Sequence, residues 1–282
     1  MSRLISVSTV VHDGYPLERS FEEIADAGLA LVEPAYIRGY IEFDETAFSD
    51  MAARRISRAM KQAGVSATAV SAHMDLGEAD STAMLARRVR FAAAIGARYT
   101  ITNSSPDARR DQFLRAIEAN LPAAQALGVV LALENPGHGQ DYLIRDGRTG
   151  SDVVSLFKSP WLRLNYDGCN VLTCSEGGMR PESDIDSALA DIAHIHLKDV
   201  RRVPGGWRYT ALGEGEIDNH AVIRKLAEAD DVPLCIELPL RLYRPAFAGP
   251  ARDAQAPPLQ SLRSAIRKSH DYVLAGLRSR TV

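Results

Sequence analysis

The feature of this 282-residue chain that most limits its fold is an alternation that occurs eight times. A short apolar run, often β-branched, is followed by a longer amphipathic segment rich in Ala, Leu, Arg and Glu. The pattern predicts strands at Leu4–Val10, Leu29–Val32, Val65–Ser71, Tyr99–Thr102, Val129–Leu133, Leu162–Asn165, Ile192–Leu197 and Leu234–Ile236. It predicts helices at Ser20–Ala27, Thr46–Ala63, Ser81–Ile95, Asp107–Leu127, Gly150–Phe157, Ser183–Asp191, His220–Glu228 and Leu259–Leu277. Gly28, Gly64, Gly96 and Gly128 each stand between a helix and the next strand, where a helix-terminating glycine belongs. Apolar strands joined by helices imply a parallel sheet covered on both faces. Eight such units in about 250 residues match an α/β fold, the (β/α)8 TIM barrel with a C-terminal closing helix. A doubly wound open sheet would show a Gly-rich phosphate turn after its first strand, and VSTVVHDGYP is not GxGxxG. No linker interrupts the alternation, so residues 1–282 read as a single barrel domain.

Charge and cysteine usage narrow the partners. Lys and Arg number 33 against 36 Asp and Glu, a net charge of −3, which argues against a nucleic-acid surface. Cys169, Cys174 and Cys235 have no CxxC spacing, which argues against a disulfide framework or a thiolate zinc site and for a reducing compartment. MSRLISVSTVVHD lacks the features of a signal peptide, and no apolar stretch approaches the ~20 residues that span a bilayer. The expectation is a cytoplasmic protein with no membrane or nucleic-acid partner. Arg244–Pro258 is rich in Pro, Ala and Gly. It reads as a long excursion after the eighth strand, either a lid or subunit contact or a surface loop.

Several apolar runs end in polar residues: Glu33, His73, Asn103, Glu134, Asp167, His196 and Glu237. In a (β/α)8 barrel all these ends lie on one face, where the βα loops build the site. Glu134, Asp167, His196 and Glu237 fall on the last four strands, about one βα unit apart. Three carboxylates so close would repel and partly protonate unless a cation sat among them. Three carboxylates and one imidazole suit one divalent metal ion: Mn, Mg or Co, with Zn or Fe also possible. The bland alternative is an ion-pair network through Lys198, Arg201 or Arg202. We expect at most one of His194 and His196 to face the barrel axis. His196, nearer the strand end, is the better ligand, with His194 packed against the helices. Lys198 shares the parity of His196 and so can sit beside the site, with solvent as its default place. His73, Asn103 and His138 are candidate substrate contacts, each with a plain loop role as its rival. Trp207 is expected in the core or at the pocket rim.

With those residues in place, LALENPGHG, LRLNYDGCNV, IAHIHLKDV, TALGEGEID and LCIELP together resemble the xylose isomerase-like sugar isomerase/epimerase superfamily. The resemblance runs over nearly the whole chain. It implies that one Mn, Mg or Co ion is held by Glu134, Asp167, His196 and Glu237. It further implies that Glu134 and Glu237 form the catalytic acid/base pair, and that Arg202, six residues beyond the ligand His, binds substrate. Two positions depart from the ketose 3-epimerases. Asn170 stands where they carry a His three residues after the ligand Asp, and Gln140 stands where they carry a Glu. The first departure, with the acidic net charge, also argues against the DNA-repair branch, and Asn170 becomes a candidate substrate contact. The resemblance implies a divalent-metal-dependent sugar isomerase or epimerase acting on a ketose or keto-polyol through a cis-enediolate. The alternative is a metal-dependent lyase or dehydratase acting on a keto-inositol or 3-keto-glycoside, as one subunit of a hetero-oligomer. A sugar-binding barrel without chemistry is a weaker alternative, since all four ligand types are present. The expected partner is a small carbohydrate, and the expected assembly a homo-oligomer, dimer or tetramer.

Overall fold

A computed structural model describes residues 3–38, 40–136, 141–226, 229 and 231–279. The first strand is β1 (Ile5–Ser8). The second breaks at Pro34, which has no amide hydrogen to give a ladder. Its halves are β2 (Leu31–Glu33) and β3 (Ala35–Tyr36). The third breaks at Thr68 into β4 (Ser66–Ala67) and β5 (Ala69–Ala72). Then follow β6 (Tyr99–Asn103), β7 (Val130–Glu134), β8 (Leu162–Asp167) and β9 (Ile192–Leu197). β10 (Asp199–Val203) and β11 (Gly206–Thr210) come before β12 (Leu234–Ile236). The ten-stranded sheet runs β3-β5-β6-β7-β8-β9-β12-β1-β2-β4, with every neighbour parallel. Its ends meet, because β2 and β3 are halves of one strand, as are β4 and β5. Rejoined at Pro34 and Thr68, the ten pieces are eight strands in a closed ring, the TIM barrel that the alternation predicts.

The outer ring is α1 (Leu17–Asp26), α2 (Asp50–Ala63), α3 (Ser81–Ala94), α4 (Arg110–Leu127), α5 (Gly147–Ser155), the short α6 (Gly168–Cys174) and α7 (Pro181–Asp184), then α8 (Asn219–Lys225) and α9 (Leu259–Arg278). Local chemistry sets their ends. Ser49 caps α2 by accepting from the Ala52 amide, and Gly64 closes it at φ +75°. α5 starts three residues before its predicted position, because Asp146 and Thr149 form a capping box. The segment predicted as one helix at Ser183–Asp191 is instead α7 followed by a 3-10 turn at Ile185–Ser187. The closing helix α9 packs beside α1 and α8. Among the described residues no helix is long and apolar enough to cross a membrane.

The Arg244–Pro258 excursion is not a plain loop. β13 (Leu242–Pro245) and β14 (Ala251–Arg252) lie within or beside it. They join the β10–β11 hairpin in a four-stranded sheet of order β10-β11-β13-β14, antiparallel throughout. Prolines and glycine between two short strands hide the pattern in the sequence. The GEGEI stretch folds around Asp199, whose carboxylate accepts from the amides of Gly213, Gly215 and Ile217 at 2.9–3.1 Å. Gly215 suits this close approach, since a Cβ there would come within 2.1 Å of the Asp199 carboxylate.

Each strand divides its side chains between two faces. Leu131, Leu133, Leu162, Leu164, Ile195 and Leu197 pack outward into the main apolar core with the helices. Ala69, Tyr99, Ile101, Val130 and Ala132 form a separate cluster, with Trp161 and Ala193 against it. On β6 and β7 this second face ends at Asn103 and Glu134, so the interior is plugged by apolar side chains below a polar mouth.

One buried histidine lies in the loop after β1. His12 is 1% exposed and neither ring nitrogen has a partner. Burial pushes its pKa from 6.5 down to about 4, with Glu23 pulling upward and Arg19 and Arg263 adding to the fall. Between these two values the unfolded chain binds the proton and the folded one does not, so stability drops as pH falls from 6.5 to 4. At pH 5 this costs about 2 kcal/mol relative to pH 7. His12→Gln should show a smaller loss between pH 7 and pH 5 in urea unfolding; an unchanged loss would assign the acid sensitivity elsewhere.

Candidate active site

The polar mouth is built by alternation across neighbouring strands. Asn103 on β6 stands beside Glu134 on β7, and Glu134 beside Asn165 on β8. Asn165 then stands beside His194 on β9, and one step further up Asp167 stands beside His196. Glu237 follows β12, its amide bonded to the Leu197 carbonyl. Glu134, Asp167, His196 and Glu237 each offer a ligand atom, all within 4.8 Å of one another, and all four residues are buried.

His196 is the hub. Its Nδ1 lies 2.5 Å from Glu237 and 3.0 Å from Glu134. Its Nε2 lies 3.0 Å from Glu33, whose other neighbour is the Ser71 hydroxyl, donating at 2.7 Å. Glu33 is a pure acceptor, so Nε2 donates to it; Nδ1 faces two further carboxylates and carries the second proton of an imidazolium, which a metal ion would displace. The Asn165 amide nitrogen stands 3.0 Å from Nδ1 and donates to Glu134 at 2.7 Å. A carboxylate behind a histidine is the usual way to aim a ligand imidazole at a metal. Burial opposes charge on all these groups. Even so, Glu237, Glu33 and Glu134 hold the His196 pKa well above its ordinary value. Conversely His196 and His194 hold Glu33 down to about 2.

Asp167 is the strained member. Burial raises its pKa to about 6, with Glu134 and Glu237 adding to the rise and Lys198 opposing it. Asp167 Oδ2 and Glu237 Oε2 are buried and have no hydrogen bond. Lys198 lies 2.6 and 3.0 Å from these two atoms, so its contact is an ion pair without hydrogen-bond alignment. One ammonium therefore faces three carboxylates, with a fourth, Glu33, behind His196. Two carboxylate oxygens without hydrogen bonds, an Nδ1 that would give up its proton to a metal, and excess negative charge fit one divalent cation. A second group, Glu33, His196 and Cys235, is also compact. Burial holds the Cys235 thiol well above its ordinary pKa, so it is the poorer metal site.

A cavity of about 570 Å³ opens above the cluster, lined by Glu134, Glu237, Lys198, His73, Asn103 and Asn170 among others. A larger cavity, about 740 Å³, lies to one side between α1 and α2 and contains none of the four ligand candidates. The chemistry therefore places substrate in the smaller one. His73 Nε2 stands 3.4 Å from Glu134. Asn170 spends its amide hydrogens inside the protein, donating to Glu134 at 3.0 Å and to the Asn135 carbonyl at 2.9 Å. It thus holds Glu134 in place.

Three expectations need correction. Arg202 is not brought to the cavity. On the β10–β11 hairpin it pairs with Trp207, its guanidinium lies 4.1 Å over that ring, and it donates to the Glu176 carbonyl. His194 does not pack against the helices. Residues two apart on a strand share a face, so His194 turns inward with His196, 2.8 Å from Asn165 Oδ1 and in tilted ring contact with Tyr99. For the same reason Lys198 takes its place beside the site, buried at the cluster, and not the solvated position expected by default. Trp207 is buried in a small core with Leu172, Val200 and Leu242. His138 and Gln140 lie outside the described residues. Beyond the four ligand candidates, Asn165, Lys198 and Asn135 complete the cluster, with roles that strand-end position alone does not specify. Asn135 braces the Asp167 backbone at 2.8 and 3.0 Å. The signal for the other two was present in Asn-x-Asp and His-x-His-x-Lys, which place every second residue on the ligand face.

The sequence matches the xylose isomerase-like TIM barrel family over residues 21–265. No curated protein matches it. Among solved structures the chain is similar to an L-ribulose 3-epimerase at 16% identity and TM-score 0.71, covering 99% of this chain and 96% of the other. It is similar to D-psicose 3-epimerase from Clostridium cellulolyticum H10 at 13% identity and TM-score 0.75, covering 97% and 99%. It is likewise similar to a xylose isomerase-like TIM barrel protein from Mycobacterium smegmatis in complex with magnesium, at 14% identity and TM-score 0.74, covering 100% and 98%. These identities speak for the fold; the match over most of the chain speaks for the family. The closed parallel barrel and the carboxylate-imidazole cluster at its mouth thus belong to a member of the xylose isomerase-like TIM barrel family.

Proposed function

We propose that the chain is a divalent-metal-dependent sugar isomerase or epimerase acting on a ketose or keto-polyol. The observation that carries this reading is the placement of Glu134 and Glu237. Both line the cavity, and both approach the same His196 Nδ1. Two carboxylates on either side of one centre are what a proton must meet to leave one carbon and return to it on the other face, or to its neighbour. The solved 3-epimerases of this fold support the same reading.

Glu134, Asp167, His196 and Glu237 would hold the metal, which supplies Lewis-acid polarisation of a carbonyl oxygen. The two glutamates then differ in basicity. Glu134 accepts from Asn165 at 2.7 Å and Asn170 at 3.0 Å, and donors to the charged form weaken a base. Glu237 Oε2 has no hydrogen bond. We assign the first proton abstraction to Glu237 and the return to Glu134. His73 and Asn103 wall the cavity beside Glu134 and orient substrate hydroxyls.

The test is a panel of ketoses and keto-polyols incubated with the Mn-loaded protein in D2O and followed by NMR. Deuterium at the carbon next to the carbonyl is expected; no exchange on any member would reject the reading. Titration after chelation should find about one divalent ion per chain, and Asp167→Asn should weaken that binding by about 10- to 100-fold. An unchanged affinity would remove Asp167 from the ligand set.

A further inference from the structure

Arg88, Lys198 and Arg244 are buried cations. Arg88 meets Glu45 and Lys198 meets Asp167. Arg244 is different. It is 3% exposed, and its Nε and Nη1 have no hydrogen-bond partner. Its polar neighbours are the Tyr209 phenol, which shares a hydrogen bond with it, the Tyr40 phenol and the Cys169 thiol, and no described carboxylate forms an ion pair with it. Leaving a guanidinium dry and without a counter-ion is costly. Yet this one lines the 570 Å³ cavity above the carboxylate cluster, together with Arg38. Arg38 is exposed and likewise has no described ion-pair partner.

The acidic residues around the cavity are paired elsewhere, except the exposed Asp80. Glu45 is engaged by Arg87 and Arg88. Asp75 and Glu78 are both engaged by Arg109. Glu134 and Glu237 face Lys198 and His196. Arg244 keeps two guanidinium nitrogens without a described partner at the wall of this cavity.

We propose that the substrate is an anionic sugar, a ketose or keto-polyol bearing a carboxylate or phosphate, and that Arg244 binds that group. This rests on the sugar isomerase or epimerase reading and narrows its substrate class. A guanidinium offers parallel N–H donors that match either anion. Arg244 reaches the cavity from β13 in the small antiparallel sheet, so the barrel would supply the chemistry and the added sheet the selectivity.

The experiment compares neutral ketohexoses with their 6-phosphates and the corresponding ketohexuronates, by deuterium exchange in D2O. The wild-type protein should process one anionic class with kcat/KM about 10- to 100-fold above its neutral counterpart. The preferred class separates phosphate from carboxylate. Arg244→Met should bring the ratio towards one, and Arg244→Lys should keep part of it. Equal rates on neutral and anionic members in the wild type would overturn the proposal and leave the sugar reading intact. Exchange on no member would reject the sugar reading, and anion binding then decides on Arg244 alone. Inorganic phosphate or acetate should raise the Tm of the wild type and not that of Arg244→Met; equal shifts overturn the proposal. Without anion, Arg244→Met should melt no lower than the wild type, because it removes a buried unpaired charge. A purely structural arginine would show a clear fall instead.

Discussion

Glu237→Gln should lower the rate of substrate proton exchange by about a thousandfold at saturating Mn. Its carboxylate faces His196 at 2.5 Å and Lys198 at 3.0 Å, and no hydrogen bond stabilises the Oε2 charge. The amide keeps the size and one oxygen but cannot take a proton. Glu134→Gln should fall by a comparable factor for a different reason. Asn165 and Asn170 donate to different oxygens of the carboxylate, so the new amide nitrogen would confront one of these two donors. The loss there is therefore partly geometric, and Asn170→Ala should reproduce a smaller part of it. Melting curves with metal bound separate lost chemistry from lost fold. Full activity in either glutamine variant would end the two-carboxylate mechanism.

Why the cluster was readable is clear from the alternation. Strand ends at Glu134, Asp167, His196 and Glu237 are set by apolar runs, and a parallel barrel brings all such ends to one face. What failed was a matter of parity and partners. His194 and Lys198 belong to the His196 face by simple counting, and a general preference for solvated lysine overrode that count. Arg202 was placed by resemblance to a motif, but its backbone belongs to a hairpin that turns it onto Trp207. Arg244 could not be found, because β13 is four residues long and ends at a proline. Its position depends on antiparallel pairing with β11, a non-local contact that leaves no periodic trace.

The site also depends on a contact some distance from the chemistry, and its removal gives the second large effect. Arg88 on α3 is fully buried, while Glu45 in the loop after β3 is 30% exposed. The guanidinium meets Glu45 at 2.8 and 2.9 Å, donates to the Ala72 and Met84 carbonyls, and lies 4.2 Å over the Phe48 ring. Phe48 in turn packs in an aromatic group with Tyr36, Phe43 and Phe91. Glu45 thereby pins the loop after β3 to α3, and both Glu45 and Met84 line the cavity. Glu45→Ala would leave Arg88 buried with two carbonyls and no counter-ion. Breaking a buried pair from one side costs about 3–5 kcal/mol; the partial exposure of Glu45 puts this case near about 3. The expected fall in Tm is roughly 6–10 °C. Arg88→Met should cost less, since Glu45 keeps Arg87 at 3.0 Å and partial access to water. The double variant should be more stable than Glu45→Ala alone, because it removes the stranded cation as well. Denaturant unfolding of the three variants checks the order. If the double variant is the least stable, the arginine contributes mainly through its carbonyl and ring contacts, and the ion pair is secondary to them.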